Sequence, residues 1–160
     1  MNFSVKLHLD IMSDEHLRKF VSEWKEHLLS VKRGEANLDV FYAKVMDKNC
    51  EFSSPAIHKP STNPMYVSTI LKWIVEIVED FHYKDIDYYD GKTNRVAMMF
   101  GGKIKDPKSG KYRNVEGIDL IKLDPSGRKV VELKVMIRPL NALILVATTM
   151  KNRFKRMSNL

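Results

Sequence analysis

One aspartate stands where its neighbours are oily. Between Val115 and Leu123, the residues Val115, Gly117, Asp119, Ile121 and Leu123 occupy every second position, and Glu116, Ile118, Leu120 and Lys122 fill the alternate ones. A period of two is the signature of a strand, so Asp119 falls on an apolar wall. A carboxylate on such a wall is costly unless it is hydrogen-bonded or neutral. Two roles meet that condition. Asp119 acts as an acid, base or hydrogen-bond donor toward a ligand, or it is a structural aspartate satisfied by a nearby Tyr, Trp or backbone group.

Other chemistries find little footing. The five histidines and the single cysteine, Cys50, form no pair at metal-ligand spacing, so no metal is expected. Neither a glycine-rich phosphate loop nor a nucleophile elbow nor a dinucleotide fingerprint is present, so no cofactor is expected either. Gly101-Gly102 lies inside a strand pattern, where glycine permits bending or close approach. One cysteine cannot make an intramolecular disulfide, which points to a reducing, cytoplasmic setting. No apolar run is long enough to span a bilayer, and the first residues lack the layout of a secretion signal. The net charge is +7, but acids and bases alternate through most of the chain. The local excess is Lys151, Arg153, Lys155 and Arg156, which reads as a solvated basic tail rather than a nucleic-acid arm.

Several elements must position Asp119. In residues 1–12, Val5, Leu7, Leu9 and Ile11 alternate, as an edge strand or a partly ordered arm would. Ser13 is a candidate helix cap, and Leu17, Phe20, Val21, Trp24, Leu28 and Val31 then recur at helical spacing until Gly34. A short helix is predicted over Leu38–Met46, capped by Asn37, and a brief strand over Asn49–Ser54, stopped by Pro55. Residues 55–63 form a loop. Asn63-Pro64 opens a third helix to about Asp80, with an apolar arc wide enough to pack on more than one side. From Phe81 to Tyr89 the strand parity is inconsistent, and a bulge would reconcile it. Three alternating strands follow, separated by turns at Asp106–Gly110 and Asp124–Gly127. Pro139 opens a last helix, apolar nearly all round from Ala142 to Ala147. Helices followed by a meander make an α+β domain, expected over residues 13–154 with 155–160 as the basic tail.

This order of elements, together with Ser54-Pro55, Asn63-Pro64, the stretch Val115–Asp124, Gly127, Val131-Glu132-Leu133 and Arg138-Pro139-Leu140, resembles the nuclear transport factor 2-like superfamily. The likeness is greatest to its SnoaL-like members. The resemblance implies a cone in which a curved, mostly antiparallel sheet wraps the N-terminal helices, with a pocket at the open end and commonly a homodimer. Its members include isomerases, cyclases, epoxide hydrolases and proteins that catalyse nothing, so function rests on the site. Asp119 matches an inward acid of the ketosteroid isomerase pattern, for which the resemblance implies a neutral carboxylic acid that donates a hydrogen bond. Ser54 stands where that pattern has its general-base aspartate, and Trp24 roughly where it has a tyrosine. Neither replacement supports that chemistry. Epoxide hydrolases have an arginine two residues from such an acid, where this chain has Gly117 and Ile121. Cyclases need only an inward acid, which Asp119 supplies, with His58 or His82 as a helper.

With that register, Met98, Phe100, Ile121, Leu133, Val135 and Ile137 face the hollow, as pocket lining or simply as core. An apolar lining favours a small hydrophobic molecule. The opposite faces carry Ala97, Met99, Ile118, Leu120 and Met136, which a sheet covered on one side would leave polar. We read them as a homodimer interface rimmed by Glu116, Lys134 and Arg138. The expected function is therefore binding of a hydrophobic small molecule, with cofactor-independent isomerisation or cyclisation by Asp119. The alternative is a non-catalytic binding or adaptor protein.

Overall fold

Leu17, Phe20, Val21, Trp24 and Leu28 form one buried stripe along Glu15–Lys32 (α1), matching the helical spacing of the sequence. Burying side chains of this size contributes about 1.5–3 kcal/mol each, which outweighs ordinary helix propensity. Gly34 ends the helix at a positive φ of 75°, a conformation that costs glycine little. The computed structural model describes residues 14–57 and 59–157. The alternation in residues 1–12, the Ser13 cap and His58 lie outside the described residues.

Asn37 caps Leu38–Val45 (α2) by accepting the Asp39 N–H at 2.8 Å. The chain then passes directly into Met46–Ser53 (β1), three residues earlier than the sequence suggests. Asn63 accepts the amides of Met65 and Tyr66, and Pro64 opens Pro64–Ile77 (α3). Val67, Ile70, Leu71, Trp73, Ile74 and Val75 are all buried, so the helix is packed on a wide arc. It stops three residues short of Asp80, and the next strand has already begun at Glu79.

Glu79–Asp90 (β2), Arg95–Lys105 (β3), Tyr112–Leu123 (β4) and Val130–Arg138 (β5) join β1 in one five-stranded sheet of order β1-β5-β4-β3-β2. Only β1 and β5 run parallel; the other pairs are antiparallel. The β2–β3 register slips between Glu79 and His82 and again between Tyr83 and Asp87. These bulges account for the inconsistent parity of that segment. β3 and β4 pair without a break from Arg95↔Lys122 to Lys105↔Tyr112. One face of this curved sheet carries the helices, as the resemblance implies.

The free side of β1 is not open. Phe52 and Ser61 exchange both backbone hydrogen bonds, each 2.8 Å, so the loop after β1 folds back along it. Leu140–Met157 (α4) completes the structure after a cis Arg138-Pro139 bond. Ala142, Val146 and Met150 are its buried residues, whereas Leu140 and Ile144 remain 70% and 56% exposed. Helix α4 is thus one-sided where its sequence reads as apolar nearly all round. It also extends past Phe154, so Lys155 and Arg156 lie in its last turn and not in a tail.

Candidate functional site

Asp119 lies on the central strand β4, between Met98 of β3 and Val135 of β5. It is 4% exposed, among Val115, Ile121, Leu133 and Val135 of the buried face. Its carboxylate Oδ2 accepts a hydrogen bond of 2.8 Å from the Tyr83 hydroxyl, and that hydroxyl accepts one of 3.1 Å from Trp24 Nε1. Burial pushes the Asp119 carboxyl up to about 6, against the opposing pull of Tyr83 and Trp24. The same burial, reinforced by the neighbouring carboxylate, drives the Tyr83 hydroxyl well above its usual range. Asp119 is therefore an acid poised near neutrality, held by a phenol that stays protonated.

The strand pairing explains this isolation. Phe100 is the register partner of Gly117, two residues before Asp119 on the same face. A β-carbon on Gly117 would lie 2.1 Å from Phe100 Cζ, so the missing side chain is what lets the ring lie there. Phe100 also meets Phe81 at 5.3 Å and Tyr83 at 6.5 Å between ring centroids. Tilted and edge-on rings at such spacings attract one another beyond their shared burial.

Next to this network, Lys25 and Asp87 make an ion pair of 2.6 Å, and the Lys25 ammonium sits 5.5 Å from the Tyr83 ring centre. His27 is stacked on Phe41 at 3.9 Å, and burial holds its imidazole below the usual range.

The principal cleft lies elsewhere, between α3, α4 and the loop after β1. It has a volume of about 630 Å³, and its walls include Ile57, Tyr66, Ile70, Ile74, Val146 and Phe154. Phe154 stacks on Tyr66 at 5.5 Å and meets Trp73 edge-on at 4.5 Å, which ties α4 to α3 across one side. Ser54 and Ile137 border this cleft. Trp24, Met98, Phe100, Ile121, Leu133, Val135 and Asp119 do not border it. They are buried in the core cluster. Trp24 is joined to Asp119 through Tyr83 rather than facing a ligand space. His82 is exposed, with Nδ1 2.7 Å from the Asp80 carbonyl.

Sequence reasoning passed over Tyr83 and the α3/α4 cleft. Tyr83 sits between two bulges, so its face was undetermined by alternation alone. The cleft depends on where α4 docks, and only the apolar residues at Ala142, Val146 and Met150 hinted at that face. Among the described residues, no group of three His, Cys, Asp or Glu side chains is placed to hold a metal, and no helix is long and apolar enough to cross a membrane.

No family model and no curated protein matches the chain. Solved structures do. A steroid delta-isomerase from Pseudomonas aeruginosa superposes with a TM-score of 0.74 at 23% identity, covering 91% of this chain and 96% of that one. A protein with a cystatin-like fold from Silicibacter pomeroyi gives 0.70 at 18% identity, with 88% of each chain covered. A protein assigned as a SnoaL-like polyketide cyclase from a Jannaschia species gives 0.62 at 11% identity, covering 82% of this chain and 92% of that one. At these identities the likeness establishes the fold. The chain has the nuclear transport factor 2-like, or cystatin-like, α+β fold.

Proposed function

We propose that this protein binds a small hydrophobic molecule in the cleft between α3 and α4. The observation that carries the reading is the cleft itself: about 630 Å³, walled by Ile57, Tyr66, Ile70, Ile74, Val146 and Phe154. Small-molecule sites are commonly about 300–1,000 Å³, mostly apolar, with a few polar groups. Ser54 supplies one such group at the wall. Neither a metal nor a cofactor is needed for this role. Mass spectrometry of the denatured pure protein tests it, alongside an Ala147→Trp variant that fills the cleft. A small apolar molecule should accompany the wild type and be missing from the variant. Failure of both the native protein and added apolar probes to show such a difference overturns the reading.

A second reading is cofactor-independent proton transfer, as in an isomerase or cyclase, with Asp119 as the acid. Its support is the pairing of a carboxyl near neutrality with Tyr83 on the concave face, in a fold shared with a steroid delta-isomerase and a SnoaL-like cyclase. It requires a ligand to reach the buried carboxyl past the aromatic cluster, a step that binding at the cleft does not need. Binding therefore stands first. The discriminating measurement is deuterium exchange at the carbon next to a carbonyl in a bound ketone, with wild type against Asp119→Asn. Exchange in the wild type alone supports catalysis; equal rates leave Asp119 a structural role.

The outer sheet face supports a homodimer. Met99, Ile118 and Leu120 are only half-buried there and Met136 is 53% exposed, beside a Glu116–Arg138 ion pair of 2.9 Å. Among the described residues nothing covers Met136, and apolar surface of this kind commonly marks an interface.

A further inference from the structure

The α3/α4 cleft continues past its own wall. Ala56, Ile57 and Tyr66 border it, and they also border a second, more open groove of about 550 Å³. The remaining walls of that groove are Lys59, Pro60, Ser61 and Asn63. The two spaces therefore meet along three shared residues, and they differ in chemistry. The first is walled chiefly by apolar side chains, the second by polar ones and proline.

The polar side chains around this junction share one property. Ser54 Oγ accepts the Ala56 amide at 3.1 Å, and Ser61 Oγ accepts the Asn63 amide at 3.2 Å. Asn63 Oδ1 accepts the amides of Met65 and Tyr66. Each side-chain oxygen is thus committed to the backbone, and what each group has left to offer is a hydroxyl proton or an amide N–H. Tyr66, which borders both spaces, completes the set. Its ring stacks on Phe154, and burial alone holds its hydroxyl above the usual range, with no hydrogen-bond partner among the described residues. A hydroxyl withdrawn from water gains free energy from any acceptor that reaches it.

We propose that the ligand is a single-chain acyl ester. Its acyl tail lies in the α3/α4 cleft against Ile70, Ile74 and Val146. Its carbonyl oxygen accepts the Tyr66 hydroxyl where the two spaces meet, and its alcohol portion occupies the open groove beside Ser61 and Asn63. An ester carbonyl accepts hydrogen bonds and cannot donate them, which matches a junction that offers donors. A free acid of the same chain would end at the junction and leave the second space unused. The inference rests on the cleft being the binding site. It adds the order of apolar and polar parts along the ligand, which an apolar lining alone does not specify.

The test titrates glyceryl monodecanoate and its ether analogue, glyceryl monodecyl ether, into the full chain by calorimetry, with decanoate as a third probe. The ether lacks only the carbonyl. Tyr66→Phe keeps the ring that stacks on Phe154 and removes the hydroxyl. Ser61→Trp fills the open groove without touching the backbone pairing to Phe52, and Ala147→Trp fills the α3/α4 cleft. The wild type should favour the ester over the ether by about three- to tenfold, the gain from one hydrogen bond. Tyr66→Phe should lose that preference while its affinity for the ether is unchanged. Ser61→Trp and Ala147→Trp should each weaken both ligands. Equal affinity for ester and ether in the wild type, a preference that survives in Tyr66→Phe, or indifference of both ligands to Ser61→Trp overturns the proposal and leaves an apolar cleft standing. Decanoate that binds more tightly than the ester assigns the site to a charged ligand and also overturns it. Absence of binding by all three probes overturns the cleft as well.

Discussion

The Tyr83 hydroxyl spans β3 to donate a 2.8 Å hydrogen bond to Asp119 on β4, and in doing so it makes a buried carboxylate tolerable without making it comfortable. The carboxyl is still raised to about 6, so the folded state prefers it protonated.

A pH dependence follows with a definite sign. Because the folded value lies above the unfolded one, the stabilisation from Asp119 is fully present below the unfolded value of 3.8 and is lost as pH rises through about 6. At pH 7.5 the ionised group costs the fold on the order of 3 kcal/mol at most. Asp119→Asn keeps an acceptor for Tyr83 and removes the charge. Its urea midpoint should exceed that of the wild type at pH 7.5 and converge with it near pH 4. His27 acts in the opposite sense, since burial disfavours its protonated form and acid weakens the fold through it. The wild-type-minus-variant difference cancels that contribution. A difference that does not change with pH rules out a raised Asp119.

Gly117→Ala sets a methyl group against the Phe100 ring. Overpacking of this kind costs about 1–3 kcal/mol. The loss should be partly recovered in Gly117→Ala/Phe100→Leu, because the smaller side chain vacates the contested space. Thermal melts of the two single variants and the double variant measure this coupling.

The outer face makes a prediction about assembly. Met136→Lys and Ile118→Lys place charges in the middle of the exposed apolar patch, where a dimer would bury them. Sedimentation equilibrium should show a dimer for the wild type and a monomer for the double variant, with unchanged circular dichroism. A wild-type monomer at tens of micromolar, on the order of ordinary dimer affinities, defeats the assignment.

Asn63→Ala removes the acceptor of two α3 amides. Loss of such a cap costs about 1 kcal/mol. Because Tyr66 and Ile70 of α3 line the cleft, probe binding should weaken along with the melting temperature, whereas Asn37→Ala on α2 should affect stability alone.

How much of this was written in the sequence differs by element. Asp119, Val115 and Ile121 were legible because β4 pairs with β3 without interruption, so a simple alternation survives folding. Tyr83 was not, since the slips on either side of it break the period that would assign its face. The caps at Asn37 and Asn63 were legible because their chemistry is local. The end of α3 was misjudged by three residues, because the backbone turns extended at Val78, inside an apolar run that carries no breaking residue. The cleft was illegible for a different reason. It is a space between α3 and α4, and its existence depends on how Phe154 seats against Tyr66 and Trp73, a contact between segments far apart in the chain. Ser54 and Ile137 border a cleft that Asp119 does not, so the space they line is not the one the resemblance grouped them in.

The backbone exchange between Phe52 and Ser61 has a bearing on how copies of this chain can meet. It occupies the lateral donor and acceptor of Phe52 that an incoming strand would need. Strand addition alongside Phe52 is thereby blocked at this margin of the sheet, while β2 forms the opposite edge. The loop after β1 thus works as a hem, closing one border of the sheet to a neighbouring chain with a single residue pair.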